Sequence, residues 1–133
     1  MDLDKCNALK AELASEPEPL VPIDRFFDGN DDPGSIGCNL SEHPGVDRFR
    51  DVLVGLTRRP DVQAVYAQIA ELDPDEDAWP FTDTVLVVGT IDPSVLEDLV
   101  GPLQPDEVGP AATAIPPAIR RKHDGRVLVV WWD

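Results

Sequence analysis

Residues 26–44 read FFDGNDDPGSIGCNLSEHP, and they hold the side chains whose types and spacing could do chemistry. Asp28, Asn30 and Asp32 alternate as the first three oxygen ligands of a calcium loop do. Such a loop places Gly at its sixth position and a bidentate Glu at its twelfth. Counted from Asp28, those positions are Pro33 and Asn39. The pattern fails at the turn and at the strongest ligand, so no metal is assigned. Cys38 and His43 are five residues apart across a helix start, where a thiol can be activated by a nearby base. A small Cys followed by Asn39-Leu40 suits packing as well, and no catalytic residue is assigned. Asp28, Asn30, Asp32, Cys38 and His43 are therefore read as candidate binding residues. They sit in a loop of Asx-turns shaped by Gly29, Gly34 and Gly37.

Other chemistry is poorly represented. Ser35 lies between Gly34 and Gly37 without the strand–Ser–helix elbow of serine hydrolases. No GxGxxG or phosphate loop occurs, so no nucleotide cofactor is expected. Two His and two Cys (Cys6 and Cys38) without CxxC spacing argue against structural zinc. The acidic run Asp73, Asp75, Glu76 and Asp77 reads as a solvated loop.

Charge is more informative. The net charge is −15. From Asp61 to Ile119 there are twelve acidic residues and no Lys or Arg. Such a field repels nucleic-acid phosphates and anionic membranes and favours a basic protein partner. No apolar run approaches the length of a membrane span, and the N-terminus lacks the pattern of a signal peptide. A cytoplasmic location is the resulting expectation.

These residues must be positioned by a small set of elements. Leu3, Cys6, Leu9 and Leu13 give a short N-terminal helix, followed by the acidic linker SEPEP. Leu20–Phe27 reads as a short strand, at an edge because of Pro22. Val46, Phe49, Val52, Leu53 and Leu56 form the apolar face of a helix over 44–59, with Ser41 or His43 as cap and Pro60 as stop. Residues 62–72 fit either periodicity. Ala, Gln and Glu favour helix, whereas the strand expected at 83–91 needs a neighbour across PDEDAWPFT, so 62–72 is taken as a strand. Asp92-Pro93 starts a helix that Gly101-Pro102 ends. Residues 103–124 read as an irregular, proline-rich connection, and Arg126–Trp132 as the last strand.

The order is an N-terminal helix and then β-α-β-β-α-β. It predicts an α+β fold, a ferredoxin-like split βαβ sandwich with two helices on one face of an antiparallel sheet. Residues 1–18 would form the helix and linker, and 19–133 a single domain. Trp131 and Trp132 are adjacent in a strand and must point to opposite faces. One of them is expected on the open face with Tyr66, Leu86 and Val88, unless the first helix or the 103–124 connection covers it. Both join the candidate binding residues.

The combination FFDGNDDPGSIGCNL, HPG, WPFTD and VVWWD resembles an uncharacterised family of small acidic bacterial proteins, over residues 20–133. The resemblance implies no activity and supports a strand at 62–72. The functional expectation is a non-enzymatic module for protein–protein contact, an inhibitor, immunity or adaptor protein for a basic partner, with homodimerisation through the open face compatible. The alternative is a small ligand- or divalent-cation-binding protein, or an enzyme, that uses the Asp28–His43 loop.

Overall fold

The computed structural model describes residues 1–111 and 115–133. Its elements are α1 (Leu3–Leu13), β1 (Leu20–Pro22), α2 (Ile23–Phe27), α3 (Val46–Leu56), β2 (Val62–Glu71), β3 (Phe81–Gly89), α4 (Pro93–Val100), β4 (Glu107–Pro110), α5 (Pro117–Lys122) and β5 (Arg126–Trp131). Short 3₁₀ turns occupy Pro33–Ser35 and Gly101–Leu103. The fold is α+β, with a five-stranded sheet in which every pairing is antiparallel, in the order β1-β2-β3-β5-β4.

That order departs from the expected split βαβ arrangement. There, the two strands joined through a helix are separated by a third. Here α2 and α3 connect β1 to β2, and these pair directly, Val21 opposite Ala67. The four longer-expected strands thus form a simple meander, and β4 adds a fifth at the β5 edge. The reading of 62–72 as a strand holds, since β2 exchanges bonds with β3 from Val62–Gly89 to Glu71–Phe81.

Two other expectations change. The strand at Leu20–Phe27 stops at Pro22, where α2 begins. Ile23, Phe26 and Phe27 are all buried, and their i, i+3, i+4 spacing puts them on one face of a helix, not alternately on two faces of a strand. The connection at 103–124 contains β4 and α5; its segment 112–114 lies outside the described residues. β4 carries a single partly buried apolar residue, Val108, so no period announced it. Its pairing with β5 makes it a strand.

One side of the sheet carries the main core. Val65, Ala67 and Ile69 of β2, Val85 and Val87 of β3, and Leu128 and Val130 of β5 face Leu9 and Leu13 of α1, Phe26 of α2, Phe49 and Leu53 of α3, and Leu96 of α4. Burying a Val, Leu, Ile or Phe side chain contributes roughly 1.5–3 kcal/mol. α4 starts as its sequence dictates, with the Asp92 carboxylate accepting from the Ser94 backbone N–H at 2.8 Å and Pro93 in the first turn. At the far end of β3, Gly89 is required by close approach: a Cβ there would run into the Asp61 carbonyl, which accepts from Thr90 and Ile91.

Among the described residues, the opposite side is covered only in part. Ile119 of α5, 1% exposed, packs on Leu86, Val88 and Val127. Tyr66 and His123 share a hydrogen bond of 2.9 Å that ties the end of α5 to the sheet. Burial pushes the Tyr66 phenol above its ordinary pKa, so it acts as a neutral hydroxyl.

Candidate functional site

Asp28, Asn30 and Asp32 of the loop at 26–44 each bond to the chain around them. Asn30 is buried, and its amide donates to the Phe26 carbonyl at 3.3 Å and to Ser35 Oγ at 3.0 Å. Its side-chain oxygen accepts from the Asp32 backbone N–H at 2.9 Å. Asp32 is divided between two backbones: Oδ1 accepts from Gly34 N–H and Oδ2 from Trp79 N–H, at 2.9 and 3.0 Å. Asp28 pairs with Lys5 of α1 at 2.7 Å. The three residues at alternating positions therefore serve three different contacts and converge on no common point. Among the described residues, no group of three or more His, Cys, Asp or Glu side chains could hold a metal ion.

Cys38 and His43 are likewise separate. The Cys38 thiol is exposed and lies 3.8 Å from Asn39 Oδ1. Both ring nitrogens of His43 are engaged by backbone: Nδ1 accepts from Gly45 N–H at 2.9 Å and Nε2 lies 2.8 Å from the Ile36 carbonyl. Accepting at Nδ1 leaves the ring proton on Nε2, where it donates to Ile36. His43 also packs against Phe49, with ring centroids 5.1 Å apart. The imidazole thus positions the chain ahead of α3, whose first residue follows Gly45, a glycine with φ of 103°. Neither ring nitrogen is left to act as a base for Cys38.

The two tryptophans part as the pleat requires. Trp132 is 2% exposed and enters the main core, its indole N–H donating to the Leu103 carbonyl at 2.9 Å. Trp131 lies on the other face and is only partly buried. The register there places residues in lateral rows. Gln68 of β2 is opposite Thr84 of β3, Thr84 opposite Trp131 of β5, and Trp131 opposite Glu107 of β4. The next row runs Tyr66, Leu86, Val129 and Gly109. Neighbours in such a row have Cβ atoms about 4.5–5.5 Å apart.

Apart from Tyr66, the residues of these two rows line a cleft of about 310 Å³. Trp131, Leu86, Val127 and Val129 supply apolar surface, Ile115 and Pro116 ahead of α5 supply one wall, and Gln68, Thr84 and Glu107 the polar groups. Gly109 deepens the cleft, since a Cβ there would meet nothing within 4 Å. Glu107 is the one charged residue among those lining it. Among the sites named from sequence, only Trp131 belongs to this cleft. Glu107, Gly109, Thr84 and Gln68 were missed. Their signal is the lateral register, which depends on an edge strand without a pattern of its own.

The sequence model of the Uncharacterized protein YfbO family matches residues 4–129. The chain belongs to the YfbO family. One YfbO relative, "Uncharacterized protein YfbO" of Escherichia coli (strain K12), is 32% identical over 92 residues, which cover 68% of this chain. The chain spans 64% of the length of that relative. No solved structure matches the chain. The YfbO match begins within α1 and so reaches further towards the N-terminus than the motifs at 20–133 implied. α1 belongs with the rest in packing too, because Cys6, Leu9 and Leu13 lie in the main core. Burial pushes the Cys6 thiol pKa up, and its Sγ lies 3.5 Å from the Ala78 carbonyl. In this YfbO-family chain no described helix is long and apolar enough to cross a membrane.

Proposed function

We propose that this YfbO-family chain is a protein-recognition module that takes a basic partner on the Trp131 face of its sheet. The supporting observation is the cleft itself. An aromatic side chain is left partly open beside a carboxylate, on the one face that the helices of the main core do not cover. Large amphipathic aromatics are enriched at protein–protein interfaces. The charge distribution agrees: the base-free stretch from Asp61 to Ile119 contains β2, β3, α4 and β4, and so contributes three of the four strands beneath the cleft. An inhibitor, immunity or adaptor role in the cytoplasm would use such a surface without chemistry of its own. The ligand-binding or enzymatic alternative has less support, because Asn30, Asp32 and His43 of the Asp28–His43 loop are engaged by the chain itself, while Asp28 lines a separate depression with Arg25, Arg50 and Arg58.

Photo-crosslinking tests this reading. A benzophenone amino acid at position 131, irradiated in extract of the source cells, should capture a discrete basic protein, and capture should fall as salt rises. The same amino acid at the exposed Arg48 of α3 should capture none. Equal capture at both positions, or none at 131 at any salt, would rule the recognition face out.

A further inference from the structure

We infer that the cleft recognises an arginine side chain of an extended partner segment, with the guanidinium stacked on the Trp131 indole and paired with the Glu107 carboxylate. This rests on the recognition reading above and names the chemistry of its partner. Three observations on one face carry it.

The first is the pairing of Trp131 with Glu107. They are direct cross-strand partners in the β5–β4 ladder and line the same cleft. A π-face and a carboxylate on neighbouring Cβ positions can hold one planar cation from two sides, the ring by cation–π attraction and the carboxylate by charge-assisted hydrogen bonds. A guanidinium suits both at once, because it is planar, presents a fork of donors and sheds water more readily than an ammonium.

The second is the sign of the surroundings. A neighbouring depression of about 300 Å³ shares Gln68 with the cleft and is lined by Glu18 and Asp83 as its charged residues. Neither depression has a Lys or Arg in its lining. Glu107, Glu18 and Asp83 are the charged residues among the described linings, the Arg120–Lys122 cluster of α5 lies outside both, and the net charge of −15 adds a field that favours a cation.

The third is the supply of acceptors and the shape. Thr84 donates its hydroxyl hydrogen to Asp83 Oδ1 at 2.8 Å, which leaves its oxygen lone pairs to accept from the cleft. The Gln68 side chain has no hydrogen-bond partner among the described residues. Thr84 and Gln68 continue the row from Trp131, so the donors of a guanidinium that reach past the indole meet oxygen rather than apolar surface. Gly109 leaves the floor beside the row open, which gives room for the aliphatic stem over Val129 and Leu86.

The test is a titration of the isotopically labelled chain with a short extended peptide carrying one arginine, followed by NMR. A matching peptide with citrulline, which keeps the shape and loses the charge, is the control. The arginine peptide should shift the Trp131 indole and the Glu107 and Gly109 amide signals saturably at millimolar concentration, and the Trp132 indole should not move. Citrulline should weaken binding at least about tenfold, as should Glu107→Gln, since a charge-assisted hydrogen bond is worth a factor of that order. Gly109→Val should abolish the shifts. If arginine and citrulline peptides bind alike and Gly109→Val blocks both, the cleft recognises a partner but not its charge; the arginine assignment fails and the recognition reading stands. If the arginine peptide leaves these signals unmoved, the arginine assignment fails, and the crosslink at position 131 decides the recognition reading separately.

Discussion

Trp131 and Trp132 are consecutive in one strand, yet they belong to different parts of the molecule. Trp132 is sealed, with its N–H bonded to Leu103 and its ring 5.6 Å from that of Phe49. Trp131 stands between Thr84 and Glu107 on the side where α5 covers only part of the sheet. The pleat separates them, and the unequal number of helices on the two faces decides what each can do. The core side is spent on stability. The other side retains an aromatic surface beside a carboxylate on a partly covered face.

The largest expected effect breaks that comparison most sharply. Trp132→Ala should cost about 3–5 kcal/mol in denaturant unfolding, as removal of a buried aromatic side chain does. Trp131→Ala should cost well under half as much. Equal losses would mean that the two faces are alike. Next in size is Asn30→Ala, which leaves the Phe26 carbonyl and the Asp32 N–H without their partner and should cost about 1–3 kcal/mol. It would show that the loop at 28–43 belongs to the stability side. A mutant as stable as the parent would show the loop to be free for binding.

Acid titration gives a smaller effect. Bonds from the Ser94 hydroxyl and backbone N–H hold the Asp92 carboxyl below the usual aspartate range. A folded pKa below the unfolded one stabilises the fold above the ordinary aspartate pKa, and that contribution fades as pH falls through the folded value. Asp92→Asn keeps a cap at α4 and should flatten the acid limb of a stability–pH curve; an unchanged limb would assign acid sensitivity elsewhere. Smallest is the effect of calcium or magnesium at millimolar concentration, where the melting temperature should not move. A rise would reopen the cation reading of Asp28, Asn30 and Asp32.

Much of this was legible in the chain, for physical reasons that differ by element. β3 and β5 are apolar on both faces, so only a central strand fits them, and β2 follows from their need for a neighbour. α2 was hidden because Ile23, Phe26 and Phe27 continue a strand-like run past Pro22, and only burial on one face separates the readings. β4 has no period to find. The opposed tryptophans follow from the pleat alone. Which of the two stays open depends on where four helices dock, and Glu107 comes beside Trp131 only through the register of β4. In the polar loop the Asp and Asn spacing imitates a ligand set, while Asp28 pairs with Lys5, Asn30 bonds Phe26, Asp32 and Ser35, and Asp32 accepts from the Gly34 and Trp79 N–H groups.

The most direct measurement uses Gly109→Val, which puts a side chain where a Cβ meets nothing and leaves the core untouched. Its unfolding midpoint should match the parent's, while photo-crosslinking from position 131 to the basic partner should disappear. Undiminished capture by a correctly folded Gly109→Val variant would contradict the cleft as the site of recognition.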